Sequence, residues 1–345
     1  MTSTDFVQLN RQLGAYRQAA LDTMLAYIPS QEPLEHLYNL VSDYPLRGGK
    51  GFRPAICIAT CRAFGGDTSS VLLSAAAIEL FHNAFLVHDD IEDGSESRRG
   101  RPTMHQLHGI PIAINVGDAM NAMGIRPLMD NREVIGGRLT WDVLTEVERM
   151  VRISAEGQAM ELGWVRDSVC DVTYDDYLRM TLKKTCWYTC ITPARVGALI
   201  GSRGTANLDS LDRYGYFMGA AFQIQDDVLN LVGEEDRYGK EIAGDLWEGK
   251  RTLMLIHLYA AFDAVERARL ERFLATDRLD RAQDEVDWVL AEMHERGSID
   301  FAKATSHELA LGAQREFHEV IAPLPDGDDK QFLHDLVRYM VEREL

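Results

Sequence analysis

Positive charge is what this sequence has least to spare: 36 lysines and arginines stand against 54 aspartates and glutamates, a formal net charge of −18 over 345 residues. Phosphate backbones are gripped by clustered lysine and arginine, so a chain this acidic is not a general nucleic-acid binder. It can still take a small anion if basic side chains or bound cations gather at the point of contact. Cysteine is scarce as well. The residues fall as Cys57 with Cys61, Cys186 with Cys190, and Cys170 alone, spacings that match no zinc or redox motif, and they read as reduced, structural thiols. No stretch rich in proline, glycine or serine is long enough to separate domains, and no repeat or low-complexity tract is present. The start, MTSTDFVQLNRQLGAYR, lacks the basic and apolar segments of a secretory signal, which gives the expectation of a cytoplasmic protein. The strongest apolar run, Val71 to His88, is interrupted by Glu79, His82 and Asn83. Such groups are costly in lipid, so the run is expected to be a buried core helix rather than a membrane span.

What the chain has in quantity is helical periodicity. Apolar residues recur at three-and-four spacing, as in Phe332, Leu333, Leu336, Val337 and Met340, while alternating runs bounded by turn residues are nearly absent. Gly65-Gly66-Asp67, Gly136-Gly137, Gly201 to Gly204 and Gly297-Ser298 punctuate these periods as short connections. The expectation is one all-α domain spanning residues 1–345.

Two acidic motifs interrupt the apolar pattern. In LVHDDIEDGSESRRGRPTMH, Asp89 and Asp93 lie four residues apart, so on a helix both project from one face, with Asp90 and Glu92 beside them. Mg²⁺ prefers carboxylate oxygens and often completes its shell with water and substrate phosphates, which suits such a cluster. A solvated acidic helix end is the plain alternative. In FQIQDDVLNLVG the spacing returns with Asp226, Asp227 and Asn230, now beside Phe222, Ile224, Val228, Leu229 and Leu231. Carboxylates in so apolar a setting must be paired, metal-bound or protonated. Two such helices facing each other across a cavity would share a cluster of Mg²⁺ ions.

Cationic residues sit in glycine-marked contexts throughout: GGKGFRP with Lys50 and Arg53, ESRRGRP with Arg98 and Arg99, LKKT with Lys184 and Thr185, then Lys240 and EGKRT with Lys250. Each alone reads as an ordinary surface residue. Together with the acidic motifs, and in this order, they resemble the isoprenyl diphosphate synthase family over nearly all of the chain from about Gly48 onward. The wording HNAFLVHDDIEDGSESRRGRPTMH and HGIPIAINVGDA is most similar to geranylgeranyl diphosphate synthases, the branch that stops at twenty carbons.

The resemblance implies a helical bundle around a deep central cavity, a Mg²⁺ cofactor, isopentenyl diphosphate and an allylic diphosphate as substrates, and a homodimer. It assigns Lys50, Arg53, His82 and Arg99 to the diphosphate of isopentenyl diphosphate. Asp89, Asp93 and Asp226 would hold Mg²⁺, Arg98, Lys184, Lys240 and Lys250 would neutralise the allylic diphosphate, and Thr185 and Gln223 would lie near the reacting carbons. Ionisation of the allylic diphosphate would be the difficult step, assisted by electrostatic preorganisation and Lewis-acid chemistry. The released diphosphate would take the proton, so no side-chain base or nucleophile is named. Product length would depend on Ala84 and Phe85 at the cavity floor, the small residue favouring twenty carbons and Phe85 narrowing the same region, with farnesyl diphosphate as the alternative product. Met120 and Met123 would line the next layer down.

Three positions depart from the family pattern: Asn230 in place of a more frequent aspartate, the aromatic pair Trp187 and Tyr188 after the KT pair, and Gly51 where relatives often carry a basic residue. A cyclase on the same scaffold is a rival reading, opposed by Lys50, Arg53 and His82, since a cyclase needs no isopentenyl diphosphate site. A non-catalytic subunit is another, opposed by the presence of both acidic motifs and the KT pair.

Overall fold

A computed structural model describes residues 6–233 and 243–342. The long helices are α1 (Val7–Ala26), α2 (Phe52–Ala63), α3 (Thr68–Glu92), α4 (Ile110–Ile135) and α5 (Gly137–Arg166) in the first half. Next, α6 (Tyr174–Thr181) runs without a break through a π-helical segment, Leu182–Ile191, into α7 (Thr192–Gly201), followed by α8 (Leu211–Val232). The rest comprises short α9 (Gly244–Glu248), α10 (Leu253–Ala261), α11 (Ala264–Ala275), α12 (Gln283–Glu295), α13 (Ser298–Val320) and α14 (Asp328–Glu342). The all-α expectation holds, with one addition: Ser97–Arg98 (β1) and Arg101–Pro102 (β2) pair antiparallel as a minimal hairpin just after the first acidic motif.

Local chemistry sets the helix starts. Asp67 closes the Gly65-Gly66 turn and caps α3, its carboxylate accepting from the Ser70 amide at 2.8 Å. Thr173 and Asp176 form a reciprocal capping box at α6. The helix α3 is long and apolar enough to cross a membrane by length and composition, yet 67% of its most apolar stretch is buried inside the protein, as the interrupted run predicts.

The cysteine pairs mark helix crossings. A side chain at Gly197 or Gly201 of α7 would collide with the backbone of Cys57 or Cys61 on α2, so these helices meet at backbone contact. The thiols of Cys57, Cys61, Cys186 and Cys190 are free and buried, and burial pushes all of them upward, as structural thiols require. On one side of the molecule α3 packs along α4; on the other, α8 packs along α13. A central cavity lies between these layers.

Candidate active site

The cavity measures about 610 Å³. From α3 it is lined by Glu79, His82, Phe85, Leu86, Asp89 and Glu92 at helical spacing, with His88 at the margin of that face. Ala84 falls off that face. Expected at the cavity floor, it is instead packed with Val87, Val116 and Met120 in a core beside α4, about 100° around the helix from Phe85 and on the side that meets α4. Met120 belongs to this core and Met123 packs against it, so both are structural here. Phe85 does line the cavity, edge-on to Tyr188 with ring centroids 5.6 Å apart.

The first acidic motif ends α3. Asp89 faces the cavity, with Lys184 Nζ 3.3 Å from Oδ1 and Arg98 Nη2 3.6 Å from Oδ2. Asp93 follows as the C-cap and accepts from Lys250 Nζ at 2.7 Å. Burial pushes its carboxyl up to about 7, Lys250 opposing and the charges of Asp89 and Glu248 adding to the rise. Asp90 does something different. Fully buried, it accepts a fork from Arg98 Nε and Nη2 at 2.5–2.8 Å and a bond from the Tyr44 hydroxyl at 2.6 Å. This pairing ties the β1–β2 hairpin to α3 and commits Arg98 Nε and Nη2 within the protein.

The second motif lies on α8. Asp226 lines the cavity. Asp227 is buried and accepts from Tyr177 Oη at 2.8 Å and Gln223 Nε2 at 2.7 Å; burial lifts its carboxyl to about 7 against the pull of those two bonds. Gln223 in turn accepts from Thr185 Oγ1 at 2.8 Å, which locks the KT threonine to this motif. Asn230 turns away from the cavity: its Oδ1 accepts from the Asp245 amide at 3.1 Å and its backbone oxygen from the Ala243 amide at 2.8 Å. The replacement of aspartate at this position therefore costs no cavity-facing charge. It anchors α9 and the EGKRT segment to α8.

Lys184 bonds Glu161 of α5 as well as Asp89, and Lys250 gathers Asp93 at 2.7 Å, Glu248 at 2.7 Å and Asp245 at 3.7 Å. Lys240 lies outside the described residues. Among the described residues no group of three or more histidine, cysteine, aspartate or glutamate side chains converges on one metal-sized point. Asp89 and Asp226 line the same cavity, and the donors near them are carboxylate oxygens. That set fits hard divalent cations sharing a few protein ligands and completing their shells with water or phosphate oxygens.

The basic residues form a second cluster on the cavity wall. Arg53 Nη1 lies 3.2 Å from His82 Nε2, Nη2 donates to Thr189 Oγ1 at 2.8 Å, and the guanidinium carbon sits 4.3 Å from the centre of the Tyr188 ring. Burial drives His82 well below its usual value, with Arg53 and Arg99 adding, so the ring is neutral. Arg99 donates to the Tyr44 carbonyl at 2.8 Å, and burial lowers it to about 10 although Glu79 opposes. Lys50 lines the same wall. Arg53 Nε and His82 Nδ1 are buried with no hydrogen-bond partner among the described residues.

The aromatic pair after the KT residues divides. Tyr188 lines the cavity, whereas Trp187 is buried in the core with Arg149 4.4 Å over its ring. The sequence reading missed Glu161, Gln158 and Tyr177, all on the cavity wall. A signal existed: Ser154, Gln158 and Glu161 repeat at three-and-four spacing on α5, a polar stripe on the face that turns inward.

Comparison with known proteins identifies the family and supports the fold. A model of the polyprenyl synthetase family matches residues 35–293. The geranylgeranyl diphosphate synthase of Methanosarcina mazei is 33% identical over 346 residues, covering 100% of this chain and 99% of its own. The crystal structure of geranylgeranyl pyrophosphate synthetase from Pyrococcus horikoshii Ot3 superposes with a TM-score of 0.85 at 31% identity over 98% of both chains. Polyprenyl synthase from Caulobacter crescentus CB15, solved with calcium and isoprenyl diphosphate, gives 0.86 at 26% identity over 97% of both. The chain belongs to the polyprenyl synthetase family of prenyl transferases.

Proposed function

We propose that this protein is a single-domain, Mg²⁺-dependent synthase that joins isopentenyl diphosphate to an allylic diphosphate and releases a linear product, geranylgeranyl diphosphate. The observation that carries the reading is that two polar clusters, one basic and one of carboxylates with paired amines, line a single cavity. Lys50, Arg53, His82 and Arg99 make up the first, and Asp89, Asp226, Lys184 and Lys250 the second. A reaction between two diphosphates with different fates needs two such clusters.

In the basic cluster, Arg53 and Arg99 offer planar donors to the diphosphate that is kept, and neutral His82 offers a further polar contact. In the acidic cluster, Asp89, Asp93 and Asp226 would hold Mg²⁺, which when bound supplies Lewis-acid polarisation of the leaving diphosphate. Lys184 and Lys250 bring fixed positive charge to the same place, and Lys240 is assigned there by motif. Charge that develops on the departing oxygens meets dipoles and cations already oriented, the condition under which electrostatic catalysis is strongest. Thr185 donates to Gln223, which Asp227 holds in turn, so its hydroxyl is fixed on the cavity wall. The proton lost on forming the new double bond leaves with the diphosphate.

The growing chain extends past Phe85 and Tyr188, whose rings meet edge to face on the wall. Phe85, rather than Ala84, is therefore the length-limiting residue. A cytoplasmic homodimer is the expected assembly. Its support is the recurrence of exposed Ile110, Ile114, Ile125 and Met129 along α4, continued by Trp141, which is 70% exposed at the start of α5. Incubation of purified protein with Mg²⁺, labelled isopentenyl diphosphate and dimethylallyl, geranyl or farnesyl diphosphate tests the reading. A twenty-carbon alcohol after dephosphorylation supports it. A product made without isopentenyl diphosphate identifies a cyclase, and a fifteen-carbon limit that Phe85→Ala relieves assigns farnesyl diphosphate as the native product.

A further inference from the structure

The loop that presents Lys50 is held from outside the core of the site. Gly48, Gly49 and Gly51 have φ of +92°, +139° and +68°, so the backbone takes turns that side-chain-bearing residues avoid. Space is also spoken for on each side. A β-carbon at Gly49 would lie 2.8 Å from Arg99 Nη2, and one at Gly51 would lie 2.6 Å from Cγ of Arg17. The loop is thus threaded between two arginines, one from the hairpin and one from α1. Arg17 Nη1 donates to the Gly49 carbonyl at 2.8 Å, while its methylenes fill the volume a side chain at position 51 would need. Its Nε is buried and has no acceptor among the described residues. Arg17 acts with Arg53 and Arg99 on the buried carboxyl of Glu79, which places its charge in the same field as the basic cluster of the cavity.

We propose that Arg17 is a positioning residue for isopentenyl diphosphate, clamping the glycine loop so that Lys50 and the guanidinium of Arg99 are presented together. The proposal rests on the functional reading above. It gives a role to α1, which precedes residues 35–293 where the family match lies. A loop this rich in glycine has much conformational freedom to lose. A charge-assisted bond to its central carbonyl removes that freedom before the substrate arrives, which lowers the cost of binding.

Arg17→Met in the full chain tests this, because the stem beside Gly51 is retained and only the guanidinium goes. The KM for isopentenyl diphosphate, and its Kd measured without the second substrate, are expected to rise about tenfold. The KM for the allylic diphosphate is expected to stay within about twofold. Arg17→Lys, which restores a charged donor, should recover part of the lost affinity. Equal rises in both KM values, no change in either, or a loss that merely follows a lowered Tm would overturn the proposal. If Arg17→Met does not fold, the ratio of the two KM values in Arg17→Lys decides, and an unchanged ratio overturns it. If the wild-type chain makes no product, the functional reading falls, whereas binding of inorganic diphosphate to wild type and variant still decides the role of Arg17.

Discussion

The acidic and basic clusters of the cavity are built on opposite electrostatic plans. In the acidic cluster carboxylates and amines neutralise one another: Lys184 bridges Asp89 and Glu161, and Lys250 bridges Asp93 and Glu248. In the basic cluster Arg17, Arg53 and Arg99 surround Glu79 as a shared counter-charge, and several N–H groups are left without acceptors among the described residues. A network of paired charges can be rearranged by an incoming cation or diphosphate, because every ion has a partner to exchange. A cluster of like charges is fixed in advance for an anion, and the fold bears the strain of holding it together.

Substitutions can break this contrast. Asp89→Ala should remove cavity-facing carboxylate and cut condensation on the order of a thousandfold, while equilibrium binding of isopentenyl diphosphate stays near wild type; comparable losses in both assays would mean that the clusters are not separate. Lys250→Met leaves Asp93 and Glu248 buried without their amine, which should cost about 3–5 kcal/mol and lower Tm in thermal unfolding. Adding Asp93→Asn should return part of that loss, and the double-mutant cycle would report the coupling. Arg53→Lys keeps the charge but loses the planar pair of donors that reaches Thr189 and His82 and the stacking on Tyr188, so the KM for isopentenyl diphosphate should rise about tenfold with little effect on the allylic substrate.

The smallest expected effect concerns pH. His82 is held neutral in the folded protein by burial and the neighbouring arginines, whereas in the unfolded chain it takes a proton below its ordinary value of 6.5. The unfolded state then binds more protons, so stability falls as pH drops below that value, by at most about 1.4 kcal/mol per pH unit from this group. His82→Gln should flatten that part of a Tm-against-pH curve. An unchanged slope would show that the basic cluster does not set the protonation of His82.

Much of this arrangement was legible in the residues. Helical period gave the all-α architecture: α14 buries the stripe Phe332, Leu333, Leu336, Val337 and Met340, while α3, buried nearly all round, is marked by its apolar run instead. Repetition of the four-residue acidic spacing singled out Asp89, Asp93 and Asp226. Facing was harder to read, since spacing says which side chains share a helix face but not what that face meets. Ala84 and Phe85 are neighbours in sequence and lie on different walls; Trp187 and Tyr188 part in the same way. Arg17 was hidden for a further reason. Its partners are the Gly49 carbonyl and the vacant side of Gly51, features that carry no letter of their own.

The π-helical segment has a consequence for insertions and deletions. From Leu182 to Ile191 the backbone closes i→i+5 rings, so it spends more residues per turn than α-helix would. Lys184 and Thr185 thereby meet the acidic motifs while Tyr188 and Thr189 meet Arg53. Loss of one residue here would let the segment relax to α-helix and rotate one set of contacts away from the other, even if every named side chain survived. Along this stretch the length of the chain is as much a part of the site as its composition.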